Sequence, residues 1–113
     1  MEISLAALAS GAPCVVLQGR LDTPGVDRIE NAFSAAVSNA ARSVAVDLTA
    51  VSFLSSMGVR MIIAAAKTQR AQGRKLVMFG AQPIVLQTLK MVGLDQIIPI
   101  APDSDHAQAL LGA

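Results

Sequence analysis

The stretch Ser43-Val44-Ala45-Val46-Asp47-Leu48-Thr49-Ala50-Val51-Ser52-Phe53-Leu54-Ser55-Ser56-Met57-Gly58-Val59-Arg60 decides how the whole chain reads. From Ser43 to Leu48 the side chains alternate, Val44, Val46 and Leu48 on one face and Ala45 and Asp47 on the other, which is the period of a β-strand. A short loop carrying Phe53 and Leu54 is expected next, and then a helix from about Met57 to Gln72 with Val59, Ile62, Ile63 and Ala66 as its apolar stripe. Ser55 or Ser56 stands where a hydroxyl can accept from the free N–H groups of the first helical turn. Gly58 in that turn costs about 1 kcal/mol relative to alanine, and close approach of another backbone would account for it. An exposed helix N-terminus attracts anions and could seat a phosphoryl group on a nearby hydroxyl. An ordinary serine cap on a buried helix accounts equally well for the same residues.

On the N-terminal side, Ile3, Leu5 and Ala7 alternate with Glu2 and Ser4, the pattern of a half-buried strand. Turn residues Ser10 to Pro13 lead into a second strand over Cys14 to Gln18, spaced for an antiparallel hairpin. Thr23-Pro24 reads as a hydroxyl cap with proline at the first helical position. Val26, Ile29, Ala32, Phe33, Ala36 and Val37 form that helix's inward face. On the C-terminal side, Gly73 stops the central helix and Lys75 to Phe79 forms a strand. A helix over Ile84 to Met91, a short strand over Gln96 to Ile100, and a small helix capped by Asp103 and running through Leu110 complete the chain. The order is β-β-α-β-α-β-α-β-α. It predicts an α/β domain spanning 1–113, with a mixed, mostly parallel sheet and an antiparallel N-terminal strand. The visible alternation in the strands predicts that helices cover one sheet face better than the other.

A chain of 113 residues is one domain's length, and 53% hydrophobic with 15% charged residues excludes disorder. Nine Lys and Arg against eight Asp and Glu, with three Phe and no Tyr or Trp, leave neither the basic face nor the aromatic platforms of a nucleic-acid binder. The apolar run Met61 to Ala66 is closed by Arg60 and Lys67, far short of the roughly 20 residues of a membrane span. The N-terminus lacks a secretion signal's basic start and apolar stretch, and the one cysteine, Cys14, sits among Val15, Val16 and Leu17. A reducing cytoplasm and a buried, inert thiol are therefore expected.

Searches for catalytic and cofactor chemistry give little. The one histidine, His106, lies in Asp103-Ser104-Asp105-His106, a solvated helix start more readily than a metal tract. Phosphate-binding glycine loops and a nucleophile elbow are absent. Asp22 and Asp47 each sit at or just past a strand and read as turn and strand-end residues. The expectation is a protein that is not an enzyme and carries no cofactor.

The motif Asp47-Leu48-Thr49-x-Val51-x-Phe53-Leu54-Ser55-Ser56-Met57-Gly58-Val59 resembles the signature of the STAS domain family, typified by bacterial anti-sigma-factor antagonists. There a strand ending in Asp-Leu/Phe-Ser/Thr leads to Phe-x-Asp-Ser-Ser/Thr-Gly-Leu-Gly at a helix N-terminus. Gly19-Arg20-Leu21-Asp22 is similar to the family's upstream Gly-x-Leu-Asp, and the element order matches over nearly the whole chain. The resemblance implies a non-catalytic regulatory module. Such a module docks on an anti-sigma factor that is also a serine kinase, or on a related regulatory ATPase, and is switched by phosphorylation of the residue before the motif glycine. Counting back from Gly58, that position is Met57, which has no hydroxyl; Ser55 replaces the motif aspartate and Arg60 the second glycine. The usual switch is then absent, with Ser56 remaining as a phosphorylation candidate if the register slides by one. The expected partner-binding residues are Asp22, Thr23, Leu54, Ser55, Ser56, Met57, Gly58 and Val59. Two alternatives fit the same sequence: a STAS-like accessory subunit of a membrane transport ATPase complex, and a small nucleotide-binding α/β protein.

Overall fold

The computed structural model describes residues 1–112, and its sheet is built in chain order. Strand β1 (Glu2–Ala7) pairs antiparallel with β2 (Pro13–Leu21), which pairs parallel with β3 (Val44–Leu54). Next come β4 (Leu76–Phe79) and the two-residue β5 (Ile100–Ala101), both parallel. Helices α1 (Thr23–Ser38), α2 (Ser56–Ala71), α3 (Pro83–Met91) and α4 (Ser104–Gly112) alternate with these strands. The mixed α/β architecture is the one expected from the sequence.

Alternation along the strands sorts the core into two layers. Val15, Leu17, Val44, Val46, Leu48, Leu76 and Met78 point to one face, where Val26, Ile29 and Phe33 of α1, Ile62 and Ala65 of α2 and Leu89 of α3 pack on them. Cys14, Ala45, Val77 and Phe79 point to the other, covered by α4 through Ala107. Three helices therefore cover one face and one helix covers part of the other. Cys14 is buried, and burial first and the Asp47 carboxylate second push its thiol up to about 11, so it stays protonated and inert at neutral pH.

Several local expectations are corrected. Strand β1 is not half-buried: apart from partly buried Ile3 its residues are exposed, Leu5 by 70%, because β1 is the sheet's edge. Ala32, expected on the inward face of α1, is exposed. The segment expected to be a loop after Leu48 is a continuation of β3. Its inward residues Leu48, Val51 and Leu54 recur every third position, because the pairing with β2 shifts register between Val16 and Gln18 and again between Gly19 and Arg20. Each shift advances the phase by one residue and erases the period of two. The strand expected over Gln96 to Ile100 is instead a 3-10 turn (Leu94–Gln96) followed by β5, with Ile97 and Ile98 N–H both donating to the Leu94 carbonyl. Pro99 has no N–H to give to a ladder.

Asp103 does cap α4, accepting from the His106 N–H at 2.9 Å. The same carboxylate lies 2.7 Å from His106 Nδ1 and raises the imidazole's pKa from its ordinary value. This explains His106 as part of an exposed helix start.

Candidate functional site

The candidate site stands at the end of the sheet where β2 and β3 finish side by side. The last pairs of their ladder are Arg20 with Phe53 and Leu21 with Leu54. Leu21 and Leu54 point into the core, so Arg20 and Phe53 point to the opposite face. There the Arg20 guanidinium lies 4.4 Å from the centroid of the Phe53 ring, and its Nε is 3.4 Å from Asp22 Oδ2. Neither Arg20 nor Phe53 was among the expected site residues. They are 33 positions apart in sequence, and only the shifted register of β2 on β3 makes them neighbours.

Both helices that leave this end are capped by the residue just before them. Asp22, not Thr23, is the N-cap of α1: its Oδ1 accepts from the Gly25 N–H at 2.9 Å, and Thr23 and Pro24 are the first two helical residues. Asparagine, aspartate and serine lead threonine at this position; β2 runs on to Leu21, past the expected end at Gln18, and the cap falls one residue earlier than the Thr-Pro pair suggested. That N–H, together with Arg20, lowers the Asp22 pKa. Asp22 and Asp47, read from the sequence as turn and strand-end residues, engage separate partners: Asp22 caps α1, and Asp47 accepts from the Thr49 N–H at 2.9 Å and from its hydroxyl.

Ser55 is the N-cap of α2. Its Oγ accepts from the Gly58 N–H at 3.2 Å and donates to the Leu21 carbonyl at 2.7 Å, which also accepts the Ser55 N–H at 2.9 Å. One serine therefore closes the helix end and stitches β3 to β2. Removing it with Ser55→Ala should lower stability by about 1 kcal/mol, the usual loss of a cap. A urea transition with a lower midpoint and unchanged slope is the expected record.

Of the eight expected contact residues, five reach the surface and three do not. Thr23 and Ser56 are exposed, and Asp22, Ser55 and Met57 are half-buried. Leu54 and Val59 are in the core at 5% and 7% exposure, and Gly58 is buried beneath them. A side chain that already fills the core cannot also face a partner, so these three hold the loop in place rather than line its surface. The reason lies in Gly58: a Cβ there would stand 3.1 Å from the Leu21 carbonyl oxygen and 2.8 Å from Leu54 Cδ1. Glycine lets the first turn of α2 lie this close to β2 without crowding the Leu21 carbonyl or displacing Leu54, which with Val59 is buried there. Met57, one residue earlier, is left half out of the core at the start of the helix, flanked by exposed Ser56 and exposed Arg60.

The fold and this helix entrance together describe a mixed α/β domain that presents a capped, mostly uncharged helix N-terminus at one end of its sheet. The STAS domain family model matches residues 6–107, and the chain belongs to that family. It is 29% identical over 93 residues to BtrV of Bordetella bronchiseptica, a protein named as an anti-sigma factor antagonist, covering 82% of this chain and 80% of that one. It is 32% identical over 80 residues to the RsbT co-antagonist protein RsbRA of Bacillus subtilis, a match that covers 70% of this chain but only 29% of the longer protein. A STAS-domain anti-sigma-factor antagonist structure from Planctomyces limnophilus superposes with a TM-score of 0.86 at 19% identity, covering 98% of each chain. The antagonist SpoIIAA in its unphosphorylated form superposes with a TM-score of 0.77 at 19% identity, covering 99% of this chain and 98% of that one. At these identities the superpositions establish the fold.

Proposed function

We propose that this chain is a non-catalytic anti-sigma-factor antagonist that docks on a serine-kinase-type anti-sigma factor through the entrance of α2 and lacks the usual phospho-switch. The observation that carries the reading is the packing of Gly58. Its missing Cβ eases close contact with Leu21 and Leu54, which supports matching it to the motif glycine and, with it, Met57 to the switch position. A thioether cannot be phosphorylated, and as a flexible apolar knob it suits a protein contact. The likeness to BtrV supports the antagonist role, and the exposure of Thr23 and Ser56 beside Met57 supports this end of the molecule as the contact. In this reading Asp22 and Ser55 shape the surface through their caps, and the partner is held without a phosphorylation-driven release.

Incubation with the cognate kinase and ATP tests the switch. No stoichiometric label is expected. Label on Ser56 would place the phosphoacceptor one residue earlier, where a phosphoryl group's charge of about −1.5 to −2 would sit on the first residue of α2, and would overturn the switch-free reading.

A further inference from the structure

We propose that β1 is the interface to a second copy of this chain, the two edge strands pairing antiparallel about a two-fold axis so that the two five-stranded sheets become one. Among the described residues, strand β1 is hydrogen-bonded on one side only, to β2, in an unbroken register from Glu2 opposite Gln18 to Ala7 opposite Pro13. Its outer row of backbone groups is open along six residues. Natural edges are usually blunted by proline, lysine, an inward charge or a bulge. The sequence Glu-Ile-Ser-Leu-Ala-Ala has none of these, and Glu2 at the strand's start is its one charge. The opposite edge, β5, is two residues long and offers no comparable template.

The surface flanking this edge fits the same occupant. Leu5 stands 70% exposed on the face that carries α1. Beside it runs an apolar groove of about 430 Å³, lined by Val15, Ala32, Ala35, Ala36 and Ala40 together with Leu5 itself. Two-fold pairing that keeps faces matched sets Leu5 of one copy against Ile3 or Leu5 of the other, and each fills space over the other's alanines.

Charge agrees with the two-fold arrangement. Helix α1 crosses back between parallel strands, so it runs in the same direction as β1. Its exposed charges Asp27, Arg28 and Glu30 lie in the first half, whereas exposed Ala32, Ala35, Ser38 and Asn39 lie beyond them. A two-fold axis across β1 brings the charged half of one helix beside the uncharged half of the other, and Glu2 meets Ala6 or Leu8 rather than a second Glu2. A second copy supplies the strand, the apolar side chain and the uncharged helix flank together. The two-fold also closes, so the edge is used once and no fibre grows. Because β2 separates β3 from this edge, each copy keeps its α2 entrance free, at opposite ends of the joined sheet, and the dimer is bivalent.

Sedimentation equilibrium on the whole chain tests this. The wild type is expected at twice its 11.7 kDa mass, and Leu5→Lys at 11.7 kDa with an unchanged circular dichroism spectrum, its dimer weakened at least about 100-fold. Met91→Lys, which charges the exposed Met91 of α3, is expected to leave the dimer intact. A wild type that stays monomeric up to about 1 mM, where association is worth only about 4 kcal/mol, overturns the proposal. So does a dimer that survives Leu5→Lys, or one lost with Met91→Lys instead.

Discussion

Replacing Gly25 by alanine should cost this protein about 3 kcal/mol of stability, although alanine is the better helix former. Gly25 is the third residue of α1 and is buried. A Cβ there would lie 2.2 Å from the Arg20 carbonyl oxygen, 3.0 Å from Asp22 Oδ1 and 3.2 Å from Met1 Cβ. The first of these is backbone at the end of a paired strand and cannot rotate away. Relief requires α1 to move off β2, which strains packing by about 1–3 kcal/mol and lengthens the Asp22 cap, worth about 0.5–2 kcal/mol. The gain from helix propensity, about 1 kcal/mol, offsets only part of this. Urea unfolding of Gly25→Ala measures the difference directly. A loss below about 1 kcal/mol would mean that the turn from β2 into α1 yields easily, and that Asp22 and Thr23 are not held rigidly beside the α2 entrance.

On the proposed docking through the α2 entrance, Met57→Asp should weaken partner binding about 100-fold, which is about 2.7 kcal/mol, while leaving the fold intact. The two halves of that expectation have separate physical grounds. Met57 is the second residue of α2, and a carboxylate near a helix N-terminus is stabilising by about 0.3–1 kcal/mol. The thioether is only half-buried, so its loss from the core is modest. At a docked interface the same carboxylate would be stripped of water against an apolar surface, and an unpaired charge there is costly. Calorimetry with the partner captured from the source cell, alongside thermal unfolding of the free variant, separates the effects. Unchanged affinity would remove Met57 from the contact. Weakened affinity with a destabilised fold would instead place the damage inside the domain.

Local chemistry on the chain was enough for the order of elements and the approximate ends of the helices. Helix stripes at three- and four-residue spacing, the Gly73 stop, the Asp103 cap and the alternation over Val44 to Leu48 all involve residues within a turn or two of each other, where backbone preference and burial agree. The motif around Gly58 was equally legible, because a glycine in a first helical turn is a local cost that calls for a reason. Near neighbours in sequence carry that kind of information.

What only the tertiary structure decided depends on pairings between distant residues. The shifted register of β2 on β3 turned an expected loop into strand, brought Arg20 against Phe53 and sent Leu54 inward. The close approach of Gly58 to Leu21, 37 positions away in sequence, sets the start of α2 against β2, with Val59 buried, Met57 half-buried and Ser56 exposed. Leu5, patterned like a core residue, is exposed because its strand falls at the sheet's edge. A chain's alternation fixes which side chains share a face, but whether that face is covered depends on where neighbouring elements come to rest.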